Sequence, residues 1–491
     1  MSFFNFSHML AAVVGILFVL SASTMALAES ESKSAPPNPA FKNYVDTRAE
    51  GKLPQSGDGR WLGHIPSTVD HSYLKGVRLS LTGESLPASY DLRKKNRLTP
   101  VRNQASCGSC WIFAAVASAE SSLMPELNVD FSEGAINEFS GFDSVPCEGG
   151  NGDKMTAILT RWSSLVPESQ FSYPYLNLSE SFPNNRATPG KSYQVRHVQW
   201  IPWDHDSIKQ AVMTGGAVDV DIAMDVDNCY NETTHAFYCA DSLSTDHDIC
   251  IVGWNDNYPK ENFKTPPPED GAFIVRNSWG KSWGDEGYFY VSYSDRNLGG
   301  DGVGYQFKVA ENATFDWVYQ YDALGHTESR GFGNPTGWMS NVFLANPKAS
   351  KLKAVGFYAL EPDTAYEIYI YDQVTKGQPA SGHLARTITG TMAVPGYHTI
   401  KFDTVELEGP LFSIVAKVTT PGYEFPIAME WPKANESSRA IGLHEQSYIS
   451  SDGSDWKEIC ATAASGEITC DNATNPHAYV NVCLKAFADR D

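Results

Sequence analysis

Val101-Arg102-Asn103-Gln104-Ala105-Ser106-Cys107-Gly108-Ser109-Cys110-Trp111 is the stretch on which the reading of this chain turns. It joins a polar loop to residues 110–123, a run rich in alanine and large apolar side chains that predicts a helix. A cysteine that opens a helix holds its sulfur over unpaired backbone N–H groups and the positive end of the dipole. Both favour thiolate over thiol. Two later blocks carry chemistry of their own. Asp246-His247 precedes the apolar strand Ile249-Cys250-Ile251-Val252-Gly253-Trp254, and Arg276-Asn277-Ser278-Trp279-Gly280-Lys281-Ser282-Trp283-Gly284 leads into Gly287-Tyr288-Phe289. Residues 217–223 and 272–275 alternate or are β-branched, as strands do.

Around these blocks the chain runs to 491 residues, 42% apolar, 12% aromatic and 19% charged. That is apolar mass for two or three folded units, and it excludes intrinsic disorder as the overall class. With 37 basic against 58 acidic side chains the formal charge is −21, which speaks against nucleic acid or an anionic membrane surface as partner. Residues 1–28 read as a secretion signal: residues 9–20 are apolar or small, and Ala26-Leu27-Ala28 offers a cleavage site. No later run is long enough to span a membrane, so the expected location is secreted, extracellular or at the cell surface. Nine cysteines agree with export, and the odd number leaves one thiol for chemistry. Short separations make Cys229 with Cys239, and Cys460 with Cys470, candidate bridges, although spacing alone leaves connectivity open. Cys250 and Cys483 lie in apolar runs and read as buried, inert thiols. Sequons at Asn177, Asn231, Asn312, Asn435 and Asn472 suit a glycoprotein.

The three blocks, in this order, resemble those of the papain-like cysteine peptidases. The likeness runs from Leu86-Pro87-Ala88-Ser89-Tyr90-Asp91-Leu92-Arg93 to about Tyr293, and includes Phe131-Ser132-Glu133, Cys147-Glu148-Gly149-Gly150-Asn151 and Tyr173-Pro174-Tyr175. It implies an α+β, two-lobed peptidase domain in which Cys110 is the nucleophile, paired as thiolate with the His247 imidazolium. Asn277 would orient that ring, Trp279 would shield the bond between them, and Gln104 would donate to the oxyanion. Cys107 would bridge to Cys147, and Gly149 and Gly150 would let a substrate backbone approach. The strand at residues 217–223 sets Asp219 and Asp221 on one face, which by composition alone reads as a solvated acidic surface. In the family this strand borders the pocket for the side chain two places before the scissile bond, so Asp221 would favour a basic residue there. No cofactor and no metal are implied, and the other mature-chain histidines show no metal-ligand spacing.

The expected domains are the signal (1–28), a propeptide-like extended segment that wraps (29–84), the peptidase domain (85–310) and an all-β jelly-roll or sandwich (311–491). The last rests on short apolar runs at 315–321, 352–360, 365–371, 397–402, 411–418, 425–430 and 479–487, separated by Gly, Pro, Asn and Asp. Ser451-Asp452-Gly453-Ser454-Asp455 reads as a hairpin turn rather than a metal loop. Trp61-Leu62-Gly63-His64-Ile65-Pro66 resembles the segment ahead of the catalytic domain in bacterial and archaeal family members with a C-terminal lectin-like domain. That resemblance implies carbohydrate or cell-surface attachment beside the peptide substrates. Trp338, Tyr369, Tyr371, Trp431 and Trp456 are candidates for stacking on sugars, with core packing as the ordinary alternative. Two rival functions stand: an adhesion protein whose peptidase fold is idle, and acyl transfer to an amine through the same thiolate.

Overall fold

The computed structural model describes residues 31–48, 55–79, 85–163, 165–173, 193–310, 315–460 and 479–490. The expected signal, Cys470 and the sequons at Asn177, Asn312 and Asn472 lie outside the described residues.

The helix Cys110–Leu123 is buried along almost its whole length, as its alanine-rich sequence requires of an element with neighbours on every side. Ile112, Ala115, Val116 and Ala119 pack with Met155 and Ile158 of the helix Gly152–Thr160, and with Trp200 and Phe307 of two strands. Opposite this helical lobe stands a sheet whose strands Val218–Ile222, His247–Asn255, Ala272–Arg276 and Tyr288–Ser292 pair antiparallel in that order. His247 and Asn277 therefore sit at the ends of neighbouring strands, facing the start of the cysteine helix. The helix also contacts the strand that carries His247, which closes the arrangement.

From Trp317 onward every regular element among the described residues is a strand. Thr336–Leu344, Thr364–Asp372, His383–Met392, Leu411–Thr419 and Ser447–Ser450 make one five-stranded sheet. Met339, Phe343, Ile368, Ile370, Ile414 and Ala416 on its inner face meet Leu352, Val355, Phe357, Leu484 and Ala486 of the facing strands in one apolar core, giving the expected β-rich second domain. Its facing sheet does not end with the domain. Gly396–Glu406 pairs with Gln194–Pro202 in the register Gly396 to Gln199, Tyr397 to Val198 and His398 to His197. A 13-stranded sheet thus runs without a break from one domain into the other.

Before Leu86 the described residues include the helix Pro39–Arg48, which the reading of an extended segment did not expect. Lys33–Ser34 adds as a strand to Glu328–Gly331, where Arg330 donates to Ser32 O (2.9 Å) and Ser34 Oγ (2.7 Å). Residues 55–79 then pass over the peptidase-like lobes. His71 bonds Asp153 there (2.8 Å), and Tyr73 stacks on Tyr423 at 4.1 Å.

Candidate active site

Ser109 precedes the helix, and the Cys110 side chain is fully buried with its sulfur unbridged. The neighbouring sulfur is tied back: Cys107 bridges to Cys147, as the family resemblance implies. Backbone groups of Asp248, Gly63 and Trp111 favour the ionised form of the Cys110 thiol, against the burial that opposes it. The first of these is the residue next to His247, so strand and helix N-terminus converge on one sulfur.

His247 is fully buried, and its Nε2 lies 2.8 Å from Asn277 Oδ1. Its other ring nitrogen, Nδ1, has no hydrogen-bond partner among the described residues. Trp279 covers the pair with ring centroids 4.8 Å apart, and Trp283 packs edge-on against Trp279 at 5.0 Å. Gln104 is buried completely. Its Oε1 accepts from Ser278 Oγ (2.5 Å), and its Nε2 donates to Cys107 O (2.7 Å) and to Trp61 O of the wrapping segment (2.9 Å). Tyr173 supports the loop from outside, its hydroxyl donating to Gln104 O at 2.6 Å.

The cleft is occupied by the chain itself. Gly150 N donates to Gly63 O (2.9 Å) and Ile65 N to Gly150 O (2.8 Å), so the segment pairs in parallel where a substrate backbone was expected to lie. The fit depends on missing side chains. A Cβ on Gly63 would stand 2.3 Å from Gly108 C, and one on Gly149, whose φ is +120°, would stand 2.6 Å from Gly63 O. Arg60 lies over Trp279 at 5.4 Å. This strap shuts out water, and the electrostatics follow. Burial, with Asp248 adding to it, holds the Cys110 thiol well above its usual pKa. Burial also brings the His247 imidazole down to about 4, with the Asn277 bond opposing and the His64 charge assisting. In the strapped form both groups are neutral, because neither charge can be solvated.

Asp221 lies beside the strap, where ligating atoms of His64, Asp221 and Asp301 are all within 4.8 Å of one another. It is not on a solvated face: Asp219 and Asp221 are 2% and 3% exposed. His64 itself has its Nδ1 3.0 Å from Asp248 Oδ1 and its Nε2 3.5 Å from Asp301 Oδ2. Sequence reasoning had no means to single out His64, Asp248 and Asp301. Asp248 adjoins the histidine block and His64 sits in a quoted run, but nothing in one dimension joins them to Asp301.

Of the remaining cysteines, Cys229 bridges Cys239, Cys460 is disulfide-bonded, and Cys250 and Cys483 are buried free thiols. The Ser451–Asp455 run forms a turn in which Asp452 accepts from the backbone N–H groups of Ser454 (2.7 Å) and Asp455 (3.0 Å). No helix among the described residues is long and apolar enough to cross a membrane.

Comparison with known proteins agrees with this geometry. Residues 86–305 match the model of the papain family cysteine proteases, and residues 318–488 that of the lectin-like domain. A cathepsin L-like peptidase of Aedes aegypti is 28% identical over 236 residues, covering 46% of this chain and 66% of its own. A cysteine protease of Blomia tropicalis is 33% identical over 229 residues, covering 44% and 64%. The chain thus spans just under two thirds of the length of these relatives. Among solved structures, the cysteine protease and lectin-like domains of Cwp84, a surface layer associated protein of Clostridium difficile, superpose with a TM-score of 0.75 at 22% identity. That match covers 94% of this chain and 98% of the other. The same clostridial protease, solved after propeptide cleavage, gives 0.67 at 22% identity, covering 82% of this chain and 99% of its own. Residues 86–305 are thus a domain of the papain family cysteine protease type, followed by a lectin-like domain over residues 318–488.

Proposed function

We propose that this chain is a secreted cysteine endopeptidase, held latent by its strap, with a second domain that attaches it to a carbohydrate or cell surface. One observation carries the reading: a free, buried thiol at a helix N-terminus meets the backbone beside His247, itself oriented by Asn277, while a piece of the same chain lies where a peptide would.

Once the strap leaves, water reaches the cleft and the neutral pair can become an ion pair. His247 takes the Cys110 proton, and the thiolate attacks a peptide carbonyl. The oxygen gathers negative charge between the Gln104 side-chain N–H and the Cys110 backbone N–H. The imidazolium then returns its proton to the departing amine as the C–N bond breaks. Water, deprotonated by His247, cleaves the thioester and restores the thiol. Gly149 and Gly150 would take the substrate backbone, Trp279 would keep water from the His247–Asn277 bond, and Asp221 would line the side-chain pocket. Asn435 is exposed and suits glycosylation, whereas the Asn231 side chain is committed to Asn262 O at 2.8 Å.

The test is turnover of a quenched protein substrate by the activated full chain, with the products read by mass. Products gaining one water are expected, with loss of about 10⁴-fold or more in Cys110→Ala. Products joined to an added amine would favour acyl transfer, and no turnover by a well-folded wild type would favour the idle fold.

A further inference from the structure

Three ligating side chains meet where the strap crosses the papain-type domain. Asp221 comes from the strand Val218–Ile222, Asp301 from the turn before Val303–Ala310, and His64 from the strap itself. Their ligating atoms all lie within 4.8 Å of one another, and His64 Nε2 stands 3.5 Å from Asp301 Oδ2. Two ligands about 2.0–2.2 Å from a tetrahedral zinc ion stand about 3.4 Å apart. The fold holds the carboxylates in place. Asp221 accepts from the Asp301 backbone N–H at 3.1 Å, and its carbonyl oxygen accepts from Gly299 N at 2.9 Å.

The imidazole is poised as a ligand. His64 is 4% exposed, and its Nε2 faces the two acids with no hydrogen-bond partner. Its Nδ1 lies 3.0 Å from Asp248 Oδ1. An ionised carboxylate only accepts, so Nδ1 carries a proton there and Nε2 is the nitrogen left for a ligand. Metal-binding histidines are oriented in this way, by a carboxylate on the nitrogen that does not bind. Donors are also short on the acidic side. Asp301 Oδ2 is buried without a hydrogen-bond partner, and so is Asp219 Oδ1, two residues from Asp221 on the same strand face. Buried carboxylates need a cation among them. A proton on His64 Nε2 offers one positive charge; a divalent ion in its place offers two.

We infer that His64, Asp221 and Asp301 form a site for a divalent transition-metal ion such as zinc, with water in the fourth position and Asp248 fixing the imidazole from behind. The nitrogen ligand selects such an ion over calcium or magnesium, which prefer oxygen. One ligand belongs to the strap and two to the papain-type domain, so the ion is a clasp: the strap cannot lift without breaking a metal bond. The site stands apart from the chemistry at Cys110, and its part in latency rests on the peptidase reading.

The test uses the full chain carrying Cys110→Ala, which removes the thiolate as a rival ligand. Zinc chloride is titrated by calorimetry with calcium chloride as control, and X-ray absorption at the zinc edge reports the neighbours of the bound ion. One zinc per chain is expected, with nitrogen and oxygen neighbours at about 2.0–2.2 Å and no sulfur at about 2.3 Å. Asp248→Asn, which leaves all three ligands in place, should weaken binding by about 10–100-fold, and Asp301→Asn by more. The absorption spectrum decides even where a variant fails to fold. Amide hydrogen exchange at His64 and Ile65, whose N–H groups bond Asp246 O and Gly150 O, reads the strap. With free zinc at about 100 times its dissociation constant, that exchange should slow about 100-fold. No bound zinc, a sulfur neighbour, binding indifferent to both variants, or calcium held more tightly than zinc would overturn the site. Zinc bound as described with exchange unchanged would overturn the clasp. Failure of the activated wild-type chain to cleave peptides would overturn the peptidase reading and leave the ion site as measured.

Discussion

The cleft around Cys110 and the outer face of the five-stranded sheet are both places where this chain could meet another molecule, and they are built in opposite ways. In the cleft, Cys110, His247 and Gln104 are each fully buried, and the strap supplies one of the Gln104 partners, Trp61 O. On the sheet face, Trp338 and Tyr369 are only half-buried and stack at 5.9 Å, with Lys417 over the Trp338 ring at 5.5 Å. Lys417 also reaches Glu367 at 2.7 Å, and register sets Trp338, Lys417 and Glu367 side by side on three strands. One surface is closed by its own chain and needs an event to open it. The other is open at all times. Reactive groups are kept neutral and dry, whereas a stacking platform has nothing to be protected from.

That contrast can be broken at the cleft first. Gln104→Ala removes the side-chain donor to the oxyanion and should lower kcat by about 10²–10³ in the activated chain with KM little changed. Circular dichroism would confirm that the fold survives. A drop confined to KM would mean that the residue merely holds the strap. A smaller effect is expected from Gly63→Val. Its side chain cannot fit against Gly108, so the strap should lift and the unprocessed chain should react with a thiol-directed probe about tenfold faster or more. An unchanged rate would mean that the strap does not gate the sulfur. The smallest effect belongs to the sheet face. Trp338→Ala should weaken attachment of the intact chain to a glycan array by a few-fold to about tenfold, as loss of one exposed ring does, and leave peptide turnover alone. A loss of turnover would tie the two surfaces together through the shared sheet.

The same contrast explains what could be read in one dimension. The blocks around Cys110, His247 and Asn277 were legible because their residues and flanks match those of the papain family in that family's chain order, and the helix Cys110–Leu123 because alanine and large apolar residues fill it. Most long strands of the second domain stand out as apolar runs. His383–Met392 does not, because its side chains are largely polar and exposed at a sheet edge. Thr336–Leu344 was hidden by glycine, serine and asparagine within it. The join of Gly396–Glu406 to Gln194–Pro202 was illegible for another reason: pairing is chosen in space, between segments far apart in the chain. The acidic cluster shares that cause: Asp221 stood out alone in the sequence, and only the fold brings Asp248, Asp301 and His64 to it. The charge state of Cys110 was also out of reach. A helix N-terminus argues for thiolate, but it is the strap's exclusion of water that decides, and no local motif announces it.

We propose that the strap keeps Cys110 a neutral thiol and that its departure creates the reactive ion pair. The most direct measurement is the pH profile of Cys110 alkylation, read by mass, in the full chain before and after activation. Before activation the account predicts slow labelling that rises only under alkaline conditions, because burial holds this thiol up. After activation labelling should be fast from about pH 4 upward, where a histidine-paired thiolate exists, and His247→Ala should return the profile to that of an ordinary thiol. Identical profiles before and after activation, or an activated profile indifferent to His247, would contradict the account.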